Sequence, residues 1–493
     1  MSGLVHLSLV RCAEMVAKLR SLAQIVAGVH EIAVTEIIGD ASVMVNDITH
    51  DSHRSGIGAI FCCVVGDTTD GHNFVNEAIN KGASAVLTQR RLAIDIPQVV
   101  VTDVRNAMGY FAAELFGRPS SKIKIVGVTG TNGKTTTAHL LAAILRQHGW
   151  DTAVFGTLSG TRTTPESTDL QRALSQEVDR GTKAVVMEVS SHALVLCRVI
   201  GTKFAATVFT NLGQDHLDFH HTIENYFVAK SQLFTEQYSE IAIVNRDDVY
   251  GKKLISALKS KNEISVQEFG ITDASEIEAD VSCVSFAWRG EKIHLATGGH
   301  FNLMNALAAA NAAVKLGVAT SDISTGLAAA DAIAGRFESV VAGQKFGVVV
   351  DYAHTPEALE NVLHAARKVV SKSSRVIVVF GCGGGRDHNK RAIMGKVASE
   401  LADVVVITTD NPRFEEAAEI ASEIESGIDS SHQKKIYVIL DRRSAIAQAF
   451  ASAISGDIVV IAGKGHESTQ TIGATEIEFN DAVVSRELLK VAS

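Results

Sequence analysis

No uninterrupted apolar stretch in this chain approaches the ~18 residues that a membrane-spanning helix requires, so no segment is expected to insert in a membrane. A surplus of positive charge is also missing. The net charge is -9 and the pI near 6.1, which argues against a nucleic-acid protein held by a broad basic face. Anionic small molecules stay open, because they need only local Lys and Arg. The six cysteines (12, 62, 63, 197, 283 and 382) show no C-x-x-C spacing. A disulfide scaffold and a zinc site are thereby disfavoured, and a reducing cytoplasm fits. The Asn-Lys-x-Asp motif of guanine-nucleotide switches is absent, as are internal repeats. Proline is scarce at five residues. Three of them (165, 356 and 412) fall in candidate site loops, where a fixed φ rigidifies a turn. The apolar N-terminal run carries Arg11, Glu14, Lys18 and Arg20 at helical spacing, so we read an amphipathic helix rather than a signal peptide.

What is present is a soluble globular composition, 46% hydrophobic and 20% charged, spread over 493 residues. That is too long for one core and suggests about three domains. The most informative stretch is 125–137, Ile-Val-Gly-Val-Thr-Gly-Thr-Asn-Gly-Lys-Thr-Thr-Thr. An apolar run (123–128) leads into a glycine-punctuated turn and then a helix-forming segment over 138–148. Glycines let backbone N–H groups approach an anion, the helix N-terminus adds partial positive charge, and Lys134 a full one. Thr135 offers a hydroxyl where Mg²⁺ sits in such loops. The strict phosphate-loop pattern would place Gly at 128, which is Val; the bland alternative is a Gly-rich βα turn.

Segments alternate strand-like and helix-like up to about 117: strands over 59–65, 85–88 and 98–102, helices over 74–81 and 107–116. Gly117-Arg118-Pro119-Ser120-Ser121 reads as a linker. Further on, 286–296 reads as a hairpin turning at Arg289-Gly290, and 302–316 as an Ala-rich helix capped by Gly317. Continuous apolar runs at 184–189, 204–209, 348–350, 376–380, 404–407 and 458–462 point to parallel strands covered on both faces. A polar cluster follows each run. Ligands bind beyond the carboxyl ends of such strands, so those clusters are the expected site.

Glu188 ends the strand over 184–189, where a carboxylate can complete a Mg²⁺ shell with Thr135; the alternative is a solvated strand-end Glu. Asp215, His216, Asp218, His220 and His221 crowd the next cluster. One of these histidines could ligate a second cation; spacing does not choose which, and the alternative is a surface cluster. Arg386 and Arg413 follow adjacent strands and could grip a carboxylate, with Asp410 attracting an amine; the alternative is two exposed arginines in loops.

With these clusters in hand, the chain resembles the Mur ligases, ATP-dependent amide-bond formers of peptidoglycan assembly. Thr-Gly-Thr-Asn-Gly-Lys-Thr-Thr (129–136), Glu-Val-Ser-Ser-His (188–192), Asn-Leu-x-x-Asp-His-Leu-Asp (211–218), Gly-Arg-Phe-Glu (335–338) and Asp-Tyr-Ala-His-Thr-Pro (351–356) carry the likeness. It covers essentially the whole chain and is strongest with members that add the third amino acid. The resemblance implies an α/β protein of three domains: 1–118 for the UDP-muramyl substrate, 119–335 for ATP on a parallel-sheet phosphate-loop domain, and a Rossmann-like 336–493 for the amino acid. ATP and Mg²⁺ are the implied cofactors. Gly130, Thr131, Asn132, Gly133, Lys134, Thr135 and Thr136, with Asn305, Arg336 and Asp351, would bind ATP. Thr135 and Glu188 would hold one Mg²⁺, His216 and a carbamylated Lys230 a second. Ser52, Asp67, Thr68, Thr69, Thr163, Thr164, Ser190 and Arg198 would hold the UDP-muramyl dipeptide. Arg386, Asp410, Asn411, Pro412, Arg413, Gly463 and Glu467 would hold the amino acid.

The Asp-Asn-Pro-Arg motif (410–413) resembles the form associated with meso-diaminopimelate, which is lysine plus a distal carboxylate that Arg413 can fork. His53, Arg162, Leu196, Gly213-Gln214 and Gly385 depart from the family's usual residues. The reaction so implied is phosphorylation of the D-Glu side-chain carboxylate to an acyl phosphate, then attack by the amino acid's amine. A closing swing of the C-terminal domain, a monomeric state and a cytoplasmic setting complete the expectation. The rivals are the same reaction with L-lysine, a folylpolyglutamate-synthetase-type ligase, and a phosphate-loop switch or motor.

Overall fold

The computed structural model describes residues 19–66, 68–160, 162–280, 282–371, 373–429 and 435–492. The expected N-terminal amphipathic helix and Asp67 lie outside the described residues. The chain divides into two compact units, one of 1–122 with 165–179 and 196–202, the other of 123–164, 180–195 and 203–493.

The first unit is built on a five-stranded sheet in the order Val34–Ile38, Gln98–Val101, Ala85–Thr88, Ala59–Cys62, Asp47–Thr49, parallel except for its first strand. The strand expected over 59–65 stops at Cys62. The helix expected from 107 begins at Val104, because Asp103 accepts from the backbone N–H groups of Arg105 and Asn106 and so caps it three residues earlier.

The second unit holds two parallel sheets. One runs Ser265–Phe269, Ile241–Asn245, Ala206–Phe209, Lys124–Thr129, Ala184–Glu188, Thr152–Phe155, parallel throughout. The other runs Glu338–Ser339, Gly347–Asp351, Ile458–Ala462, Val376–Phe380, Val404–Ile407, Lys435–Val438, with only the two-residue edge strand antiparallel. The continuous Val/Ile runs are buried on both faces, each fully buried side chain contributing about 1.5–3 kcal/mol of transfer free energy. The expected hairpin is there, Val284–Trp288 pairing Glu291–Leu295. Arg289 and Gly290 turn it with φ of 49° and 83°, the two positive values that a tight hairpin turn uses.

The phosphate-loop helix spans Lys134–Gln147, four residues longer at its start than expected. Three β-branched threonines are weak helix formers, yet Thr135, Thr136 and Thr137 are all buried, and packing outweighs propensity. The Ala-rich helix His300–Lys315 lies against it in the same core.

Candidate nucleotide and amino-acid site

The strand Lys124–Thr129 delivers the chain to a turn that only glycine can make. Gly130 has φ 152° and Gly133 φ 82°. A Cβ on the first would meet Thr210 Oγ1 at 1.9 Å, and on the second Asn305 Oδ1 at 2.3 Å. Lys134 Nζ curls over this turn and donates to the carbonyls of Gly130 (2.8 Å) and Thr131 (2.9 Å). Burial pushes its ammonium below the ordinary lysine range, opposed by Glu188 and Asp215.

Parallel register sets Glu188 opposite Val128, one strand over. There its Oε1 accepts from Thr135 Oγ1 (3.0 Å) and from the Thr157 backbone N–H (2.8 Å). Thr135 and Glu188 are therefore within hydrogen-bond reach of each other. Arg336, from the linker into the second sheet, donates to the same Thr135 hydroxyl at 3.2 Å and stacks on Tyr352 with its guanidinium carbon 4.5 Å from the ring centroid. Asp351 accepts from the backbone N–H groups of Phe337 (2.6 Å) and Ala353 (2.8 Å). Burial raises its carboxyl to about 6, with Arg336 pulling the other way.

Lys230 is buried on the helix Ile223–Ser231 and donates to the Gly130 carbonyl at 2.9 Å, its ammonium 4.6 Å from the Tyr226 ring centroid. Burial and then the neighbouring Lys134 push its amine well below the lysine range. His216 adopts a left-handed backbone (φ 54°), with Nε2 3.3 Å from Asp215 Oδ2 and its ring edge-on to His192. Burial lowers its imidazole to about 4, partly offset by Asp215. Among the described residues, no three His, Cys, Asp or Glu side chains form a set that could hold a metal ion. A cation here would draw on the Thr135 hydroxyl, Glu188, His216 and phosphate oxygens.

These groups line one cleft of about 430 Å³, within the range of ligand sites. Asn132 Nδ2, Arg336 Nε and Glu357 Oε2 are buried there without a protein partner. Two orphaned donors beside a glycine cradle, a lysine and a hydroxyl–carboxylate pair fit a magnesium-bound triphosphate. Glu357 belongs to the helix Pro356–Val369 and packs on Gly213, where a Cβ would lie 1.3 Å from its Oε2. At Gly213, a departure from the family's usual residue, any side chain would require the Glu357 carboxylate to turn aside.

Beside the cleft lies the second group of expected residues. Asp351 and Ala462 are register partners on adjacent strands, so the loop 463–467 leaves the sheet next to Asp351. Tyr352 contacts the His466 ring at 5.2 Å. Asp410, Asn411, Pro412 and Gly463 are buried, Arg386 is exposed, and Arg413 is half-buried. Asn411 Nδ2 donates to Glu467 Oε2 at 2.7 Å. Arg413, with φ 53°, donates to the Gly384 carbonyl at 2.6 Å, which brings the two Arg-bearing loops together. Burial raises the Asp410 carboxyl, with Arg442 and Lys464 opposing.

The residues expected at the UDP-muramyl dipeptide divide between the units. In the second unit, Thr164 Oγ1 donates to the Glu188 carbonyl (2.9 Å) and accepts from Ser190 N–H (3.1 Å), and Thr163 Oγ1 lies 3.2 Å from Thr157 Oγ1. In the first, Ser52 donates to Glu77 (2.9 Å), Arg198 Nε lies 2.8 Å from Glu166 Oε1, and Thr68 and Thr69 are exposed. The sequence reading passed over Tyr352, Glu357 and Lys464. Tyr352 lies inside the 351–356 motif and Lys464 in the polar cluster after the 458–462 run, but nothing in the spacing singles them out.

Comparison with known proteins agrees with this geometry. The Mur ligase family catalytic domain matches residues 45–115, the Mur ligase middle domain 128–313, and the Mur ligase glutamate ligase domain 335–465. A UDP-N-acetylmuramoyl-L-alanyl-D-glutamate--2,6-diaminopimelate ligase of Aquifex aeolicus is 42% identical over 458 residues, covering 90% of this chain and 94% of that one. A solved structure of an enzyme of that name is 31% identical, with a TM-score of 0.67 over 96% of this chain and 99% of that one. A MurF ligase from Thermotoga maritima in complex with ADP, 19% identical, shares the fold at a TM-score of 0.60, over 91% of this chain and 98% of that one. With three family domains in order and a relative this similar end to end, the chain belongs to the Mur ligase family.

Proposed function

We propose that this protein is an ATP-dependent amide ligase that joins meso-diaminopimelate to the D-Glu of UDP-N-acetylmuramoyl-L-Ala-D-Glu, by way of an acyl phosphate, in peptidoglycan synthesis. The observation that carries the reading is the continuity of the two sites. Arg336 reaches Thr135 in the phosphate cradle, its stacking partner Tyr352 touches His466, and Glu467 is bonded to Asn411 of the Asp-Asn-Pro-Arg loop. A carboxyl activated at the cradle is therefore near residues suited to present an amine.

MgATP, when bound, supplies the phosphoryl group that activates the carboxylate. The protein's part is electrostatic and positional. Gly130 to Thr136 bind the phosphates, and Lys134 turns from the loop's carbonyls toward their charge. Thr135 and Glu188 hold one Mg²⁺; His216 and Lys230, once carbamylated, hold a second. Asn305, Arg336 and Asp351 fix the nucleotide. Ser52, Asp67, Thr68, Thr69, Thr163, Thr164, Ser190 and Arg198 hold the UDP-muramyl dipeptide. Arg386, Asp410, Asn411, Pro412, Arg413, Gly463 and Glu467 take the diamino acid, with Arg413 on the distal carboxylate. The working unit is a cytoplasmic monomer of three domains (1–118, 119–335 and 336–493), the last swinging to close the cleft. Among the described residues no helix is long and apolar enough to cross a membrane.

The test is phosphate release with substrates added singly and together. Release that needs both the UDP-muramyl dipeptide and diaminopimelate supports the proposal. Equal use of L-lysine overturns the choice of amino acid, and release without either substrate overturns the ligase.

A further inference from the structure

The side chain of Lys464 is wholly buried beneath the loops assigned to the amino acid. Its ammonium has three N–H donors, and three acceptors surround it: Asn411 Oδ1 at 3.1 Å, Glu467 Oε2 at 2.9 Å and the Thr469 carbonyl at 2.7 Å. They come from three different segments: the Asp-Asn-Pro-Arg loop, the 463–467 loop, and the strand Thr469–Ile472 of the C-terminal hairpin.

The bonds determine orientation. Asn411 Oδ1 accepts from Lys464 and from the Thr471 backbone N–H (2.9 Å), while its Nδ2 donates to Glu467. Flipping the amide would turn its NH₂ against two donors, so Lys464 and Thr471 fix which way Asn411 points. Glu467 receives both bonds on Oε2, from Lys464 and Asn411, which reserves Oε1 for an incoming cation. The strand that Lys464 anchors also holds the backbone of Arg413. Arg413 N–H donates to the Thr471 carbonyl at 3.1 Å, and Gly473 N–H donates to the Arg413 carbonyl at 2.6 Å, keeping Arg413 at its positive φ.

We propose that Lys464 is a positioning residue for the amino-acid half of the reaction. It saturates Glu467 Oε2 and Asn411 Oδ1 so that Glu467 Oε1 receives an ammonium of the diamino acid, and it anchors the strand that aims Arg413 at a carboxylate. The inference rests on the assignment of Asn411, Arg413 and Glu467 to the amino-acid pocket.

The test is a kinetic double-mutant cycle on the full-length enzyme, with diaminopimelate varied at saturating ATP and UDP-muramyl dipeptide. Lys464→Met raises the KM for diaminopimelate tenfold or more and leaves kcat and the KM for ATP within twofold. Glu467→Gln raises the same KM. The double variant, which no longer buries an unpaired carboxylate, is no worse than the poorer single variant, because the two residues act as one unit. Should Lys464→Met fail to fold, Lys464→Gln replaces it in the same cycle. Additive losses overturn the proposal, as does a KM for ATP that rises in step with that for diaminopimelate. A wild-type enzyme that ignores diaminopimelate would instead overturn the assigned substrate; the cycle is then read with whichever amino acid the enzyme ligates.

Discussion

Lys230 and Lys134 donate to one and the same acceptor, the carbonyl oxygen of Gly130, at 2.9 and 2.8 Å. Two ammonium groups on one oxygen in a buried place repel each other, and Lys230, the more deeply buried, yields its proton more readily. A neutral amine is the form that adds carbon dioxide. Protein equilibrated with ¹³C-bicarbonate is expected to show a carbamate carbonyl resonance that Lys230→Arg lacks, and Lys230→Arg is expected to lose at least 100-fold in kcat/KM. A variant of unchanged rate would remove Lys230 from the mechanism.

Glu188 binds the Thr135 hydroxyl and is nearly inaccessible, at 1% exposure. Glu188→Gln keeps the shape and an acceptor but loses the charge. The expected outcome is a half-maximal Mg²⁺ concentration raised at least tenfold, with little change in thermal unfolding. Magnesium titration of activity reads this directly, and an unshifted curve counts against the metal assignment.

Arg413 is held by the Gly384 carbonyl and by its own backbone bonds. Arg413→Met removes the fork for a distal carboxylate. Diaminopimelate is expected to lose about 2–5 kcal/mol of transition-state binding, roughly 30- to 5,000-fold in kcat/KM. L-lysine gains relative to it. Competition between the two amino acids measures the ratio, and an unchanged ratio excludes Arg413 as the discriminator.

Glu357 has a carboxyl raised to about 7 by burial, with Asp248, Glu360 and Asp215 adding to the effect. Its ordinary value is 4.5. The folded chain thus holds a proton that the unfolded chain releases, and stability falls as pH rises between those two values; the penalty is complete above the upper one. Glu357→Gln is expected to match the wild-type Tm near pH 4.5 and to exceed it by about 2 °C at pH 8. A Tm difference independent of pH would show that Glu357 does not titrate in this range.

Most strands of the second unit are legible in the sequence. Val376–Phe380, Val404–Ile407 and Ile458–Ala462 were bounded correctly because a strand covered on both faces writes itself as a continuous apolar run. The Thr135–Glu188 pair was legible because a phosphate loop and the end of a neighbouring parallel strand have little freedom in where they meet. What stayed hidden depends on side-chain direction. Lys464 looked like any loop lysine, since nothing in Gly-Lys-Gly-His-Glu says that it points inward to three acceptors. The attachment of 165–179 and 196–202 to the first unit was equally invisible, because those segments carry no composition break.

The fit of Glu357 onto Gly213 links two positions 144 residues apart. Any side chain added at 213 would meet the tip of Glu357 and not backbone, so it can be accommodated only by turning that carboxylate away. The glycine thus leaves the Glu357 carboxylate free to keep its present rotamer, and a larger residue there would use that freedom to relieve the clash.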